Sequence, residues 1–488
     1  MKKIIIYLFL CSMITFVSCD KWLDIEPKGK IILTNAEEYA QLFDNTGYIA
    51  YNFQDIAYLD DESLITPQSV LDALNSPTIS SANATYNTEF DRAEFAYANS
   101  GSTTSTFYQT MYQRISRICN TIIENESEIK GSASELSVLI AQAKAYRAFS
   151  YFILINIYAK PYNATTAATD GGVPIRTDIN LESQAEKPKS TVAEVYKLIE
   201  QDLTEAIPDL PETAKTPYRF NKAAGYALKA KVHLFKKEWD ECIKAAGKSY
   251  ELNHSTYDLV SRIDAKAHKP NPPIYATGEE NLFFGTFATT YYMHPDLVNL
   301  YKKGLVDYGQ SEDVHDVRLD LYKQPRSSIK DYQYTLSYQP SDLEYAKNSV
   351  GIRTTEVMLM LAECYARKGM TDKVLEYLKP YLISRYANFD PSKLQISSDK
   401  TDAVKFVLQE RRKELTMGCN RFFDLRRLNT ETEYQVIPSR TIPLDTKATP
   451  NLPQQTYRMP VNSPLYVLPF PTKVIANDPR LTSNYMND

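Results

Sequence analysis

Two pairs of helical patterns with the same internal offsets constrain the fold of this chain more than any other feature. The pairs are residues 221–236 with 238–250 and residues 356–367 with 371–386. In both pairs the apolar residues recur at tetratricopeptide spacing, and the small residues Ala230 and Ala362 fall where paired helices would cross closely. Because such pairs bury their apolar faces only by stacking on neighbours, we predict a tetratricopeptide-like scaffold of helix pairs.

Other helical patterns extend this scaffold through much of the chain. They cover residues 107–129, 135–159 and 191–207. Asn35 is a suitable N-cap for a further short helix over residues 36–43. Only 15 glycines occur among 488 residues, which argues against a β-rich or doubly wound fold with many tight turns. The sequence therefore predicts a mostly α fold with a few short strands, one of them within residues 281–285.

Two long irregular regions interrupt the helical patterns, at residues 49–107 and 254–347. Both contain many aromatic and hydrogen-bonding residues, and both are too long to be ordinary connectors, which favours functional loops. Tyrosine is abundant, with 36 residues. Most of these suit helix packing with the hydroxyl at the surface. Others suit stacking on sugars or peptides, because the ring has a flat apolar face and a polar tip.

A dense group of charges lies in the segment Val404–Leu428, VKFVLQERRKELTMGCNRFFDLRRL. Its apolar spacing predicts one helix that stops at Gly418, which adopts the left-handed conformation cheaply, and a second short helix after it. Asp424 lies three residues from both Arg421 and Arg427 and can pair with either. The charges are either solvated on two amphipathic helices or partly buried as an ion network. Five arginines and three acids around Phe-Phe favour the network.

The N-terminus has the features of a bacterial lipoprotein signal. Two lysines precede the apolar stretch Ile4–Val17, which is too short to span a bilayer. Small Ser18 precedes Cys19, as in a lipobox, so we predict that Cys19 is lipidated and anchors the mature chain. The predicted division is a signal peptide over residues 1–18, a tether over 19–30 and a single domain over 31–488.

The charged segment resembles the C-terminal signature of the SusD/RagB family, outer-membrane lipoproteins of Bacteroidetes nutrient-uptake systems. That signature reads roughly E-R-R-x-E-L followed by R-W/F-F-D-L-R-R. This chain has the signature residues Glu410, Arg411, Arg412, Glu414, Leu415, Arg421, Phe422, Phe423, Asp424, Leu425, Arg426 and Arg427. It departs from the usual family text at Met417 and Cys419. In the family this segment is structural, so it identifies the protein without marking a ligand site.

The resemblance extends from the lipobox to the closing residues YVLPFPTKVIANDPRLTSNY. It implies a SusD-like domain with four helix pairs, an N-terminal part over about 31–220 and a C-terminal part over about 275–488. It also implies capture of an oligo- or polysaccharide at the cell surface and its delivery to a SusC-like TonB-dependent transporter in the outer membrane. Peptide capture, as in RagB-like relatives, is the alternative binding function. Two other classes remain open: a surface glycan hydrolase and a purely structural assembly subunit.

In the family the ligand site is formed by irregular loops on the side away from the repeats. That implies residues 49–107 and 275–338 in this chain. The candidate ligand-binding residues are Tyr58, Asp60, Phe95, Tyr97, Asn99, Tyr291 and Tyr292. The only tryptophans are Trp22 in the tether and Trp239 in a repeat, so tyrosine must supply the stacking surface that tryptophan often provides.

No enzyme motif is present: the sequence lacks GxSxG, GxGxxG, a P-loop and HExxH. We expect His233 to be a packed helix residue, and we predict no catalytic residue, metal or cofactor. The run Asp60-Asp61-Glu62 indicates either solvated loop charges or a pair of acid/base groups or calcium ligands. Glycosidase carboxylates need only meet in space, so the hydrolase hypothesis depends on the structure.

Charge and cysteine content narrow the partners further. The net charge is −5, and removing the signal peptide with its two lysines brings it to about −7. Without a basic tract, nucleic acid and anionic lipid surfaces are poor partners. The remaining cysteines are far apart and in apolar helical text, so we expect buried free thiols at Cys119, Cys242, Cys364 and Cys419.

Overall fold

Helices make up most of the described chain. The structure is a computed structural model that describes residues 33–45, 50–51, 56, 59–64, 103–179, 188–264, 269–270, 277–287, 290–322, 335–337, 348, 350–416, 418–443 and 454–484. The helices are α1 Ala36–Ala40, α2 Thr103–Arg114, α3 Thr121–Glu124, α4 Ala133–Tyr158, α5 Val192–Ala206, α6 Lys222–Lys236, α7 Trp239–Leu252, α8 Leu259–Arg262, α9 Pro295–Lys303, α10 Thr354–Arg367, α11 Thr371–Ile383, α12 Lys400–Glu414, α13 Asn420–Leu428 and α14 Thr472–Asn477.

The strands are short and join segments that are distant in sequence. They are β1 Ala50–Tyr51, β2 Ser63–Leu64, β3 Ile263–Asp264, β4 Lys269–Pro270, β5 Asn281–Phe283, β6 Thr286–Phe287, β7 Thr290–Met293, β8 His315–Asp316, β9 Thr335–Ser337, β10 Ile352–Arg353, β11 Tyr386–Ala387, β12 Ser439–Pro443 and β13 Gln454–Arg458. In the described residues β2, β7 and β9 form a three-stranded antiparallel sheet. The other strands pair two by two, and β1 runs parallel to β6.

Side-chain caps explain why several helices begin where they do. Asn35, Ser132 and Thr191 each accept a hydrogen bond from the backbone N–H three residues on, and a glutamate there bonds back. This capping box satisfies N–H groups that the first turn leaves without partners. The predicted cap at Asn35 is confirmed.

The predicted helix-pair scaffold is confirmed. Helix α5 packs on α4, α7 on α6 and α11 on α10, and α7 also packs on α10, which joins two pairs into a stack. Ala230 and Ala362 are both fully buried, as expected of residues at close helix crossings. A continuous apolar core runs through both halves of the chain and includes Ala36 and Leu481.

Helix α4 lies at the centre of this core. Nearly every residue from Leu139 to Tyr158 is buried. Among the described residues it is the one helix long and apolar enough to cross a membrane, but 83% of its most apolar stretch is buried inside the protein. It is therefore the core helix of the scaffold.

Three predicted helix boundaries are wrong for identifiable reasons. The pattern over 107–129 is one run that starts at Thr103, contains a π-helix, Ile115–Asn120, and ends at Glu124. The helix predicted to stop at Gly418 ends at Glu414, and Gly418 has a φ of 81° in the turn before α13. The pattern over 371–386 ends at Ile383, because Tyr386 pairs with Asp316 between β11 and β8.

Overpacking at Ala362 tests the helix-pair register. Ala362 lies in a core with Leu378 and Val404, so Ala362→Phe should lower the free energy of unfolding by about 1–3 kcal/mol. The matched control is Ala133→Phe, which places the same side chain on an exposed first-turn alanine of α4. Chemical denaturation of both variants measures the difference. Equal stability of the two variants would contradict the assigned crossing.

Candidate functional site

Two loop regions that are distant in sequence meet in the three-stranded sheet. Strand β7 from the second region pairs with β2 from the first, with Leu64 opposite Tyr292, and with β9 on its other edge, with Leu336 opposite Tyr291. Residues 59–64, 290–293 and 335–337 are thus joined in one element, which we call the loop face. The sheet joins the two regions that the family resemblance implies for the ligand site.

Asp60 builds the turn that leads into this sheet. It is only 2% exposed, and its Oδ1 accepts hydrogen bonds from the backbone N–H groups of Glu62 at 2.9 Å and Ser63 at 3.4 Å. The His294 backbone N–H then donates to the Glu62 carbonyl at 2.7 Å, which fastens the turn to the end of β7. These contacts favour a role for Asp60 in shaping the turn over direct contact with a ligand.

Asp61 ties the same turn to the C-terminal signature. Arg421 donates from Nε and Nη2 to the two carboxylate oxygens of Asp61 at 2.5 and 2.7 Å, across 360 residues of sequence. Arg412 donates from Nη2 to the Asp61 carbonyl at 2.9 Å and lies 3.2 Å from its Oδ2. Burial alone would raise the pKa of Asp61, but the two guanidinium groups outweigh it and hold that pKa well below its usual range.

The acidic run is therefore not the solvated loop that was one interpretation of the sequence. Both carboxylate oxygens of Asp61 are held by arginines, and Glu62 is 1% exposed. Burial, together with the negative charge of Asp60, raises the pKa of Glu62 well above its usual range. The run supplies one ionised carboxylate that clamps the turn and one buried carboxyl group that favours its neutral form.

A larger buried network continues from the signature helices, centred on Glu414. This carboxylate accepts hydrogen bonds from Arg385 at 2.9 and 3.0 Å, from Arg353 at 3.0 Å and from Arg318 at 3.1 Å. Burial would raise the pKa of Glu414, but these arginines hold it far below its usual range. Arg385 also bonds both oxygens of Glu280, at 3.0 and 2.9 Å, which fixes the segment that precedes β5.

A second group of ion pairs fixes α12 and α13 against α10. Asp424 accepts hydrogen bonds from Arg411 and Arg427, each at 2.8 Å, and the two arginines lower its pKa to about 2 against the effect of burial. Arg427 also donates to both oxygens of Glu363 on α10, at 2.6 and 2.8 Å. Of the two predicted partners of Asp424, Arg427 is confirmed, whereas Arg421 binds Asp61. The interpretation of the signature as a buried ion network is confirmed, and burial is deeper than expected.

Buried tyrosines complete the network and are exceptions to the expectation that most hydroxyls lie at the surface. Tyr386 donates to Glu410 Oε1 at 2.6 Å, and Tyr301 donates to the Lys413 carbonyl at 2.6 Å. Burial raises the pKa of both hydroxyls well above the usual range. Each hydroxyl therefore acts as a neutral hydrogen-bond donor to the signature helix.

Sequence reasoning missed the partners of the signature. Glu280, Asp316, Arg318 and Arg385 were not among the candidate residues, although all four are almost completely buried. Arg385 alone stands as an isolated charge in apolar and aromatic text, which is its one sequence signal, whereas Glu280 follows Glu279 and both Asp316 and Arg318 lie in the charge-rich stretch 312–320. That signal indicates burial but does not identify the partner.

The described residues include only some of the predicted ligand-contact residues. Tyr58, Phe95, Tyr97 and Asn99 lie outside the described residues. Tyr291 and Tyr292 lie in β7, where the structure describes the backbone but not these side chains. Their assignment as ligand contacts stays a prediction.

Cys119, Cys242, Cys364 and Cys419 are buried and free, as predicted. Burial raises the pKa of Cys119 and Cys419 to about 12, so both stay as unreactive thiols.

His233 packs in α6, as predicted, beside Glu200 and Glu238, with its Nδ1 2.6 Å from Glu238 Oε2. The liganding atoms of these three residues lie within 4.8 Å of one another. The Lys236 ammonium already lies 2.5 Å from Glu200 and 2.8 Å from Glu238, so a lysine takes the place where a cation would neutralise the two carboxylates.

Fold and site together define a domain of stacked helix pairs to which irregular loops are attached by buried charges. Two family models match the chain: one described as starch-binding and associating with the outer membrane, over residues 21–234, and one described as the SusD family, over residues 321–486. The chain belongs to the SusD/RagB family, whose members associate with the outer membrane.

Known relatives are distant but cover most of the chain. A SusD-like protein of Formosa agariphila is 23% identical over 359 residues, which is 60% of this chain and 67% of that protein. A SusD superfamily structure from Bacteroides thetaiotaomicron is 20% identical and superimposes with a TM-score of 0.66 over 92% of this chain and 100% of its own. A laminarin-binding SusD-like structure is 18% identical, with a TM-score of 0.58 over 93% of this chain and 99% of its own.

Removing the Asp61 charge tests the clamp on the loop face. Asp61→Asn keeps the shape but leaves Arg412 and Arg421 without a counter-charge, which should cost roughly 3–5 kcal/mol in the free energy of unfolding. Glu205→Gln, which breaks a partly exposed pair with Lys144, should cost at most about 1 kcal/mol. Urea denaturation of both variants gives the comparison.

The difference in stability between the wild type and Asp61→Asn should depend on pH in a defined way. The pKa of Asp61 is lower in the folded than in the unfolded chain, so its contribution is present above the unfolded pKa and lost as pH falls through the folded one. The wild-type advantage over Asp61→Asn should be constant above about pH 5 and shrink below about pH 4. An advantage that grows with acidity would rule out an ionised Asp61 in the folded state.

Proposed function

We propose that this protein captures a glycan at the cell surface and delivers it to a TonB-dependent outer-membrane transporter of the SusC type. The observation that carries the proposal is the loop face. In a chain of the SusD/RagB family, two long aromatic loop regions are joined by one sheet and clamped to a rigid helical scaffold. A starch-binding family description and a laminarin-binding structural relative support a glycan as the ligand class.

The chemistry of a sugar fits what these regions offer. A pyranose ring has apolar faces that stack on aromatic rings and hydroxyl edges that exchange hydrogen bonds with polar side chains. Preorganised loops lose less conformational freedom on binding, so clamping the loop bases favours affinity. Tyrosine replaces tryptophan as the stacking residue in this proposal, because neither tryptophan of the chain lies in the two loop regions.

The carboxyl groups described at the loop face favour binding without turnover. Asp60 is used by the turn, Asp61 is paired with two arginines, and Glu62 is buried at 1% exposure. A glycosidase needs two carboxyl groups that both reach the scissile bond. Within the described part of the loop face, each of the three is engaged or enclosed, which supports a binding protein rather than a hydrolase.

The anchoring of the protein belongs to the same proposal. We infer that residues 1–18 are removed, that Cys19 carries the lipid and that residues 19–30 tether a single SusD-like domain, 31–488, to the outer membrane. A lipid on Cys19 would hold the domain at the membrane that contains the transporter.

Replacing both loop-face tyrosines tests glycan capture. Each stacked ring should contribute roughly 1–2 kcal/mol, so Tyr291→Ala/Tyr292→Ala should weaken binding of the cognate oligosaccharide at least about tenfold. The matched control is Tyr365→Ala/Tyr377→Ala, which removes a stacked tyrosine pair from the repeats. Calorimetry with laminarin and starch oligosaccharides, and with a peptide panel, measures the effect.

The binding results distinguish glycan capture from peptide capture and from glycan hydrolysis. The loop-face variant should keep its helical circular dichroism and its association with the transporter while it loses glycan binding. Full-strength glycan binding by this variant would move the site elsewhere. Binding of peptides but of no glycan by the wild type would replace glycan capture with peptide capture, and measured glycan cleavage would favour the hydrolase.

A further inference from the structure

A cleft that shares no lining residue with the loop face has the features of a small binding site. It has a volume of about 260 Å³ and lies between helix α2, the extended segment 174–178 and the C-terminal tail. Its aromatic and polar lining residues are Tyr108, Tyr112, Ser116, Arg176, Asp178 and Asp478. Pockets for drug-sized ligands run roughly 300–1,000 Å³, so this cleft suits a smaller ligand such as one sugar ring.

One wall of the cleft comes from a single helix face. Tyr108, Tyr112 and Ser116 are spaced by four residues and so project from the same side. The ring centroids of Tyr108 and Tyr112 lie 4.6 Å apart, and Tyr108 is fixed edge-on against Tyr158 and Phe470. Ser116 belongs to the π-helix Ile115–Asn120, and insertions of this kind are frequent at functional sites.

The opposite wall is held in place by buried side chains. The Tyr112 hydroxyl donates to the Pro174 carbonyl at 2.7 Å. The Asn120 amide donates to the carbonyls of Arg176 and Asp178, both at 3.1 Å, and Asn120 is itself fully buried and bonded by Arg147 at 2.9 Å. These bonds fix the backbone of the segment, and a fixed backbone preorganises the Arg176 and Asp178 side chains that line the cleft.

The lining selects a neutral sugar. The partly exposed side chains of Tyr112 and Val474 offer apolar surface for a ring face, while Ser116, Arg176 and Asp178 can bond hydroxyl edges. Arg480 donates to both carboxylate oxygens of Asp478, at 2.8 and 2.9 Å. The two arginines and two aspartates at the cleft therefore balance, and no net positive charge is present to attract a sulfated sugar or a uronic acid. The composition resembles neither a metal site nor a phosphate site.

We propose that this cleft is a second carbohydrate site that takes one neutral hexose unit, separate from the loop face. The choice of a sugar as ligand rests on the function proposed above. The location is independent of it, since the three walls of the cleft come from α2, the 174–178 segment and the tail. A second site of this kind would hold a further unit of a longer glycan, or a released unit.

The test uses saturation-transfer difference NMR on the full mature chain with glucose, galactose and mannose as separate probes. At least one hexose should give a signal from the wild type, and Arg176→Gln/Asp178→Asn should weaken its apparent affinity at least about tenfold. These substitutions preserve side-chain shape, and an unchanged melting temperature checks that the fold is intact. Lys473→Gln, on the neighbouring α14 outside the lining, is the matched control and should leave the signal unchanged.

The loop-face variant Tyr291→Ala/Tyr292→Ala makes the result decisive. The hexose signal should persist in that variant, which shows that it arises outside the loop face. The proposal is overturned if no hexose gives a signal, if the signal is lost in the loop-face variant but kept in the cleft variant, or if glucuronate binds more tightly than every neutral hexose. If oligosaccharides still bind at the loop face in calorimetry, only the cleft proposal fails; if no glycan binds at either site, both proposals fail.

Discussion

Buried charge pairing is the interaction on which the rest of this structure depends. Glu414, Glu280 and Asp61 each accept hydrogen bonds from arginines in places largely closed to water. Taking such ions out of water costs several kcal/mol each, and this is offset only where opposite charges meet with good geometry. Asp61, Glu280 and Arg385 lie in segments between the helices, whereas Glu414 and Arg421 belong to α12 and α13. Pairing these charges therefore also fixes the positions of the loops that carry them.

The direction of these bonds fixes how the loops are oriented, which apolar packing alone would not do. A guanidinium that binds both oxygens of a carboxylate fixes orientation as well as position. Arg421 holds Asp61 in this way, and Arg385 holds Glu280. The stacked helix pairs supply a rigid base, and short strands such as β2 and β7 add backbone bonds between loops. Loop sequence between the clamps can then change without altering how the loops are attached.

How much of the fold and the site could be predicted from the sequence depends on how far apart in the chain the interacting residues lie. Helix positions and the cap at Asn35 depend on neighbours within a few residues, and the crossing at Ala362 involves the next helix of its pair, so periodicity and propensity predict them. The family signature also identifies the chain, because it is a contiguous string. The partner of Arg421 could not be predicted, since Asp61 lies 360 residues away and many acids are equally suitable in sequence. The π-helix at Ile115–Asn120 left no periodic signal for the same reason: contacts with another segment stabilise it.

The central claim is that the signature arginines hold the loop face in place. Hydrogen exchange of Arg421→Gln followed by mass spectrometry tests it most directly, because exchange reports local opening segment by segment. The account predicts faster exchange of the backbone amides of residues 60–64 and 290–293 in this variant, while α6 keeps wild-type protection. Unchanged protection at residues 60–64, or an equal loss in α6, would contradict it.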